Sequence, residues 1–176
     1  RVFAVSETTK KEIIKWTSLP ESQVLVTGQG IELICSEESL PIALQDVRYA
    51  LILGTVEPRK NIRFIQELWS EFTRTASEEI PLVIAGRDGW GEKLTISPGS
   101  LMVRLTDLSE SLRTALLRHA SVVLVPSFYE GFGRVAAEAL TLGTPVITSD
   151  GGALPEIVMS FGQCLPLEPD RWLKAI

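Results

Sequence analysis

Apolar residues in this chain gather in short runs that stop at small or turn-forming residues: 2–5, 24–26, 49–53, 82–85, 122–125 and 146–148. The runs are apolar at every position rather than at alternate ones, the pattern of parallel strands covered on both faces. Between them the spacing predicts helices over 7–16, 62–75, 109–119, 134–142 and 155–159, several opened by Ser, Thr or Asn. Strand alternating with helix predicts an α/β fold built on an open, doubly wound parallel sheet. The stretch 32–47 has no clear period and reads as a surface connection.

In such sheets ligands bind outside the carboxyl ends of the strands. The loops expected there, 28–30, 54–61, 86–91, 126–133 and 149–153, hold 10 of the 13 glycines. One strand delivers Pro126-Ser127-Phe128-Tyr129-Glu130-Gly131-Phe132-Gly133 to the start of a helix. The first amides of a helix have no partner within it and can donate to a phosphate or sugar oxygen. Glu130 and Glu138 flank that start. They are either acceptors for paired sugar or ribose hydroxyls, or a solvated loop charge and an ordinary helix-surface charge.

A second strand leads into Gly54-Thr55-Val56-Glu57-Pro58-Arg59-Lys60-Asn61. Two adjacent cations at a helix start run against the usual preference for acids there, which fits an external anion; a solvated pair on a turn is the alternative. His119 ends a predicted helix and suits its C-terminus. The rings of Tyr129 and Phe132 read as packing or lid residues, and the four tryptophans as core or interface.

The run Glu130-Gly131-Phe132-Gly133, then Glu138-Ala139-Leu140, Gly143-Thr144-Pro145-Val146-Ile147, Gly151-Gly152 and Pro155-Glu156-Ile157-Val158 resembles the retaining glycosyltransferases of family 4. Val5-Ser6-Glu7-Thr8-Thr9-Lys10 is similar to the opening of that family's second domain, so the likeness covers nearly the whole chain. It implies that residues 1–176 form a Rossmann-like donor-binding domain, the C-terminal half of a GT-B fold, with the N-terminal acceptor domain absent. It implies transfer from a nucleotide diphosphate sugar to an acceptor glycan or lipid-linked sugar, with retention. Lys60 would contact the diphosphate, Glu130 the transferred sugar and Glu138 the ribose. Gly54, Thr55 and the Gly131, Phe132 and Gly133 amides would line the donor site. The family often has a base directly after the strand glycine; here that position is Thr55, leaving Arg59 to supply the second charge. The segments 57–61 and 86–90 look most like mannosyltransferase members, and suggest GDP-mannose. The glycine usual after 103–105 is absent, so base recognition has no clear counterpart.

Charge and composition narrow the partners. A formal net charge of -5 over 176 residues gives no basis for nucleic-acid binding. Cys35, Cys164 and His119 form no metal pattern, no Asp-x-Asp occurs, and no metal or resident cofactor is expected. With no apolar run near the ~20 residues of a membrane span, and no signal peptide, the expected location is the cytoplasm, at most peripheral on the inner membrane face. The start at Arg1 and the helix-like 170–176 at the other end read as a fragment. Two other functions compete: a non-catalytic nucleotide-sugar-binding regulatory module, and an NAD-binding Rossmann domain. For the second, Gly131-Phe132-Gly133-Arg134-Val135-Ala136 satisfies G-x-G-x-x-A, and Asp150 follows a later strand; five residues between strand and glycine argue against it.

Overall fold

The computed structural model describes residues 1–33, 39–75, 79–91 and 93–176. Six parallel strands form the main sheet: β3 (Ala50–Leu53), β4 (Leu82–Ala85), β5 (Met102–Leu105), β6 (Val122–Val125), β7 (Val146–Ser149) and β8 (Gln163–Leu165). Their spatial order is β5-β4-β3-β6-β7-β8. The chain builds outward from β3 on one side, then returns to lay β6 against β3 and builds outward on the other.

Successive side chains of a strand point to opposite faces, and the core divides accordingly. Leu51, Leu53, Val83, Val123 and Val125 face the layer of α3 (Glu110–His119), α4 (Arg134–Thr141) and α5 (Leu154–Val158). Ala50, Ile52, Leu82, Ile84 and Leu124 face α2 (Ile62–Thr75) and α6 (Pro169–Ala175). All four residues of β3, of β4 and of β7 are buried, as an every-position apolar run requires when both faces are covered. Trp69 and Trp172 are sealed in the second layer, where Phe64 meets Trp172 edge-on at 5.5 Å. Trp16 and Trp90 are exposed, so only two of the four tryptophans are core.

Helix starts follow the sequence. Ser6 caps α1 (Glu7–Thr17) by accepting from the Thr9 amide, and Ser109 caps α3 by accepting from Leu112. His119 closes α3 in an exposed position, beside Arg118 in its last turn.

Two expectations need correction. The runs 2–5 and 24–26 do not join the main sheet: β1 (Val2–Ala4) and β2 (Val24–Val26) pair only with each other, in parallel, around α1. Only Ala4 and Val24 are buried there, and Phe3, Leu25 and Val26 stand exposed. Full apolarity marked strands but could not assign them to a sheet. The edge strands β5 and β8 lie outside the six expected runs. β5 contains Arg104, whose guanidinium bonds the Ile84 and Leu105 carbonyls and Asp88; β8 opens on the exposed Gln163. Edge strands tolerate polar positions that hide them from a search for apolar runs. Cys35, with part of the connection 32–47, lies outside the described residues. Among the described residues no helix is long and apolar enough to cross a membrane.

Candidate functional site

The return of the chain from β5 to β6 puts a topological switch point between β3 and β6, where open α/β sheets bind their ligands. β3 and β4 pair over four residues, but β3 and β6 only over Ala50↔Val122 and Leu51↔Val123. Past that point the pairing stops, and a small crevice of about 10 Å³ lies between the carboxyl ends. Leu53, Gly54, Thr55 and Lys60 line one side, Pro126 and Ser127 the other.

On the β3 side the loop closes in a single 3-10 turn, Pro58–Lys60, stopped by Asn61 in the left-handed conformation. On the β6 side residues 126–130 lead to Gly133, the residue before α4, at φ 97. A Cβ there would also press on Leu154, so position 133 admits only glycine without strain. The two loops are zipped together. The Phe128 amide donates to the Arg59 carbonyl at 2.9 Å, and the Arg59 guanidinium donates to the Tyr129 carbonyl at 2.7 Å.

A closed network of two acids and two bases spans the crevice mouth. Lys60 Nζ meets Glu130 Oε1 at 2.6 Å, and Arg59 meets Glu130 Oε2 at 2.8 Å. Ser127 donates to Glu130 Oε1 at 2.9 Å, and Arg59 Nε and NH2 both bond Glu57. Burial pushes the Glu130 carboxyl up, but Lys60, Arg59 and Ser127 together outweigh it and hold Glu130 below the usual carboxylate range. Arg59 loses by burial and gains more from Glu130 and Glu57, so its net shift is upward.

Glu138 sits in a second network. It is fully buried on α4, with one oxygen on Arg113 of α3 and the other on Arg134 at 3.1 Å. Glu130 and Glu138 are therefore neither of them solvated surface charges. The structure brings Arg59, Lys60 and Glu130 into direct contact, places Gly54 and Thr55 in the crevice beside them, and sets Gly131, Phe132 and Gly133 between the two glutamates in sequence.

The neighbouring loop supports this arrangement. Gly152, at φ 67, pairs with Glu130 as an isolated bridge, and the Ala153 amide donates to the Glu130 carbonyl at 2.8 Å. A Cβ on Gly152 would collide with that same carbonyl. The first turn of α1 reaches the loops from outside the main sheet: Ser6 and Thr9 donate to the Gly131 carbonyl, and Glu156 accepts from the Glu7 and Thr8 amides.

Sequence reasoning missed Ser127, Glu57, Arg113 and Arg134 as partners. Arg134 and Glu138 have the i,i+4 spacing of a helical pair, a usable signal. Arg113 comes from another helix and left no trace in local spacing. Among the described residues, no three of His, Cys, Asp and Glu are grouped to hold a metal ion.

This architecture is that of GT-B glycosyltransferase structures, a parallel sheet flanked by helices; Anabaena HepE, solved with UDP and glucose, superposes with a TM-score of 0.77 at 17% identity, over 98% of this chain and 51% of that one. The model of the family described as glycosyl transferases group 1 matches residues 42–172, and the chain belongs to that family. O-antigen chain mannosyltransferase B of Escherichia coli is 30% identical over 92% of this chain and 46% of its own length. D-inositol 3-phosphate glycosyltransferase of Kineococcus radiotolerans is 29% identical over 92% of this chain and 42% of its own. The chain thus spans slightly under half the length of these two relatives.

Proposed function

We propose that this chain is the donor-binding half of a retaining family 4 glycosyltransferase that takes a nucleotide diphosphate sugar, with GDP-mannose the first candidate. The observation that carries the reading is the Lys60–Glu130–Arg59 network at the mouth of the β3–β6 crevice, next to the glycine loop that opens α4. The mannosyl donor is supported by the name of the Escherichia coli relative and by the segments 57–61 and 86–90.

In this reading the donor's diphosphate lies between Lys60 and the 131–133 amides. As the sugar leaves, negative charge grows on the diphosphate, and a prearranged ammonium and amides stabilise that charge without reorganising. At rest Lys60 and Arg59 together neutralise Glu130; when the diphosphate takes up part of the Lys60 cation, Glu130 Oε1 keeps Ser127 and gains room to accept a hydroxyl of the sugar. Arg59, held by Glu57 and the Tyr129 carbonyl, supplies fixed positive charge and keeps the two loops together. Glu138 accepts the ribose hydroxyls in exchange for the exposed Arg134.

The acceptor, a glycan or lipid-linked sugar, would be held by a second domain, and the reaction would run in the cytoplasm, at most peripherally on the inner membrane face, in polysaccharide or lipopolysaccharide synthesis. The test is a calorimetric screen of GDP-mannose, UDP-glucose and ADP-glucose against the chain, followed by a transfer assay on the full-length protein. Binding of GDP-mannose above the others, and mannosyl transfer with retained anomeric configuration, are the expected results. A chain that binds no nucleotide sugar at millimolar concentration overturns the proposal.

A further inference from the structure

The Gly131 carbonyl is held from an unexpected direction. Ser6 Oγ lies 2.6 Å from it and Thr9 Oγ1 2.9 Å, although these residues are 125 and 122 positions away in sequence. Ser6 is 3% exposed, and it sits at the head of α1, outside the six-stranded sheet. The same first turn is fastened at two further points. Glu156 accepts from the Glu7 and Thr8 amides at 3.0 Å each, and Thr8 Oγ1 reaches the Gly152 carbonyl at 3.5 Å.

Among the described residues no peptide bond is cis. Within the trans unit joining Gly131 to Phe132, the C=O and the N–H point in opposite directions. Two hydroxyls hold the oxygen toward α1, so the Phe132 N–H faces away from α1. Among the described residues no backbone carbonyl accepts from the Gly131, Phe132 or Gly133 amide. Glycine at 131 leaves this peptide plane with little conformational restraint of its own. The hydroxyls supply the restraint.

We infer that Ser6 and Thr9 are positioning residues for the diphosphate: by fixing the Gly131 carbonyl they aim the Phe132 amide at a phosphate oxygen. The inference rests on the donor-site reading above. It gives the β1–α1–β2 unit a part in donor binding through a contact that carries no charge. Preorganised amides stabilise an anion because they need not turn to meet it; a peptide plane free to rotate loses that advantage.

Thr9 gives the clean test, because Ser6 also caps α1. Thr9→Val keeps the side-chain shape and removes the donor, whereas Thr9→Ser keeps the donor. Ser6→Gly is a second variant, since glycine caps a helix nearly as well as serine. Affinities for GDP and for guanosine are measured by calorimetry, with thermal melting to establish that each variant is folded. Thr9→Val and Ser6→Gly are expected to weaken GDP about tenfold, the worth of the Phe132 amide's hydrogen bond to a charged phosphate once its aim is lost, and to leave guanosine unchanged. Thr9→Ser is expected within twofold of the parent. Undiminished GDP affinity in folded Thr9→Val, or equal weakening of GDP and guanosine, overturns the inference. A parent chain that binds neither GDP nor any other nucleoside diphosphate overturns the donor-site reading beneath it instead.

Discussion

Lys60 and Glu130 meet across the crevice, Nζ to Oε1 at 2.6 Å, from loops that follow two different strands. The cation proposed to meet a diphosphate is therefore already engaged, and a ligand bound there would have to compete with a carboxylate for it. Lys60→Ala is expected to weaken GDP binding by ~1.5–3 kcal/mol, the worth of a charge-assisted contact, with guanosine nearly indifferent. Calorimetry with both ligands decides; equal losses would remove Lys60 from the phosphate site.

The depressed Glu130 carboxyl makes stability depend on pH. A group whose folded pKa is lowered contributes stability above its unfolded value, here the ordinary 4.5, and loses it as pH falls through the folded value. The parent should melt above Glu130→Gln at neutral pH by about 2 kcal/mol equivalent, and the two curves should converge below pH 4.5. Melting temperatures of both proteins across pH 3 to 7 provide the check; a gap that widens in acid would contradict the network.

Glu138 is the more buried of the two glutamates, and Arg113 beside it is mostly covered. Removing one member of a buried pair leaves the other uncompensated, at about 3–5 kcal/mol. Glu138→Ala should destabilise the chain by that order, and adding Arg113→Met to it should recover part of the loss. Chemical denaturation of the two single variants and the double one closes the cycle; purely additive losses would show that the pair is not coupled.

Gly152→Ala meets two obstacles at once, a positive φ and the Glu130 carbonyl. About 2 kcal/mol or more of destabilisation is expected, together with weaker GDP binding because the Glu130 loop must shift. Alanine at the exposed Gly99 also takes a positive φ but meets no atom within 4 Å. It isolates the backbone cost, and its GDP affinity should stay at the parent value.

Local pattern made the central strands and the glycine loops legible, because burial on both faces writes itself into β3, β4 and β6 as unbroken apolar runs. The same rule overreached at β1 and β2, which are equally apolar yet stand apart. It also passed over β5, where Arg104 spends its charge on carbonyls of its own sheet edge. At the site, residue type and spacing marked Arg59, Lys60, Glu130 and Glu138, but not who holds whom. Spacing within one segment has no access to partners 70 residues away, as Lys60 and Glu130 are, or 25 away on another helix, as Arg113 and Glu138 are.

The strand order also governs when the site comes into being. Because β4 and β5 are laid down between β3 and β6, the two halves of the crevice belong to different stretches of chain, and neither half contains a binding surface by itself. Closing a loop that contains β4 and β5 carries an entropic cost that grows slowly with its length, and contacts so distant in sequence slow folding. Ligand meets only chains in which β3 and β6 have already joined, and binding then draws the folding equilibrium toward them by mass action. On the proposed donor-site reading, affinity for the donor would report directly whether the middle of the sheet has closed.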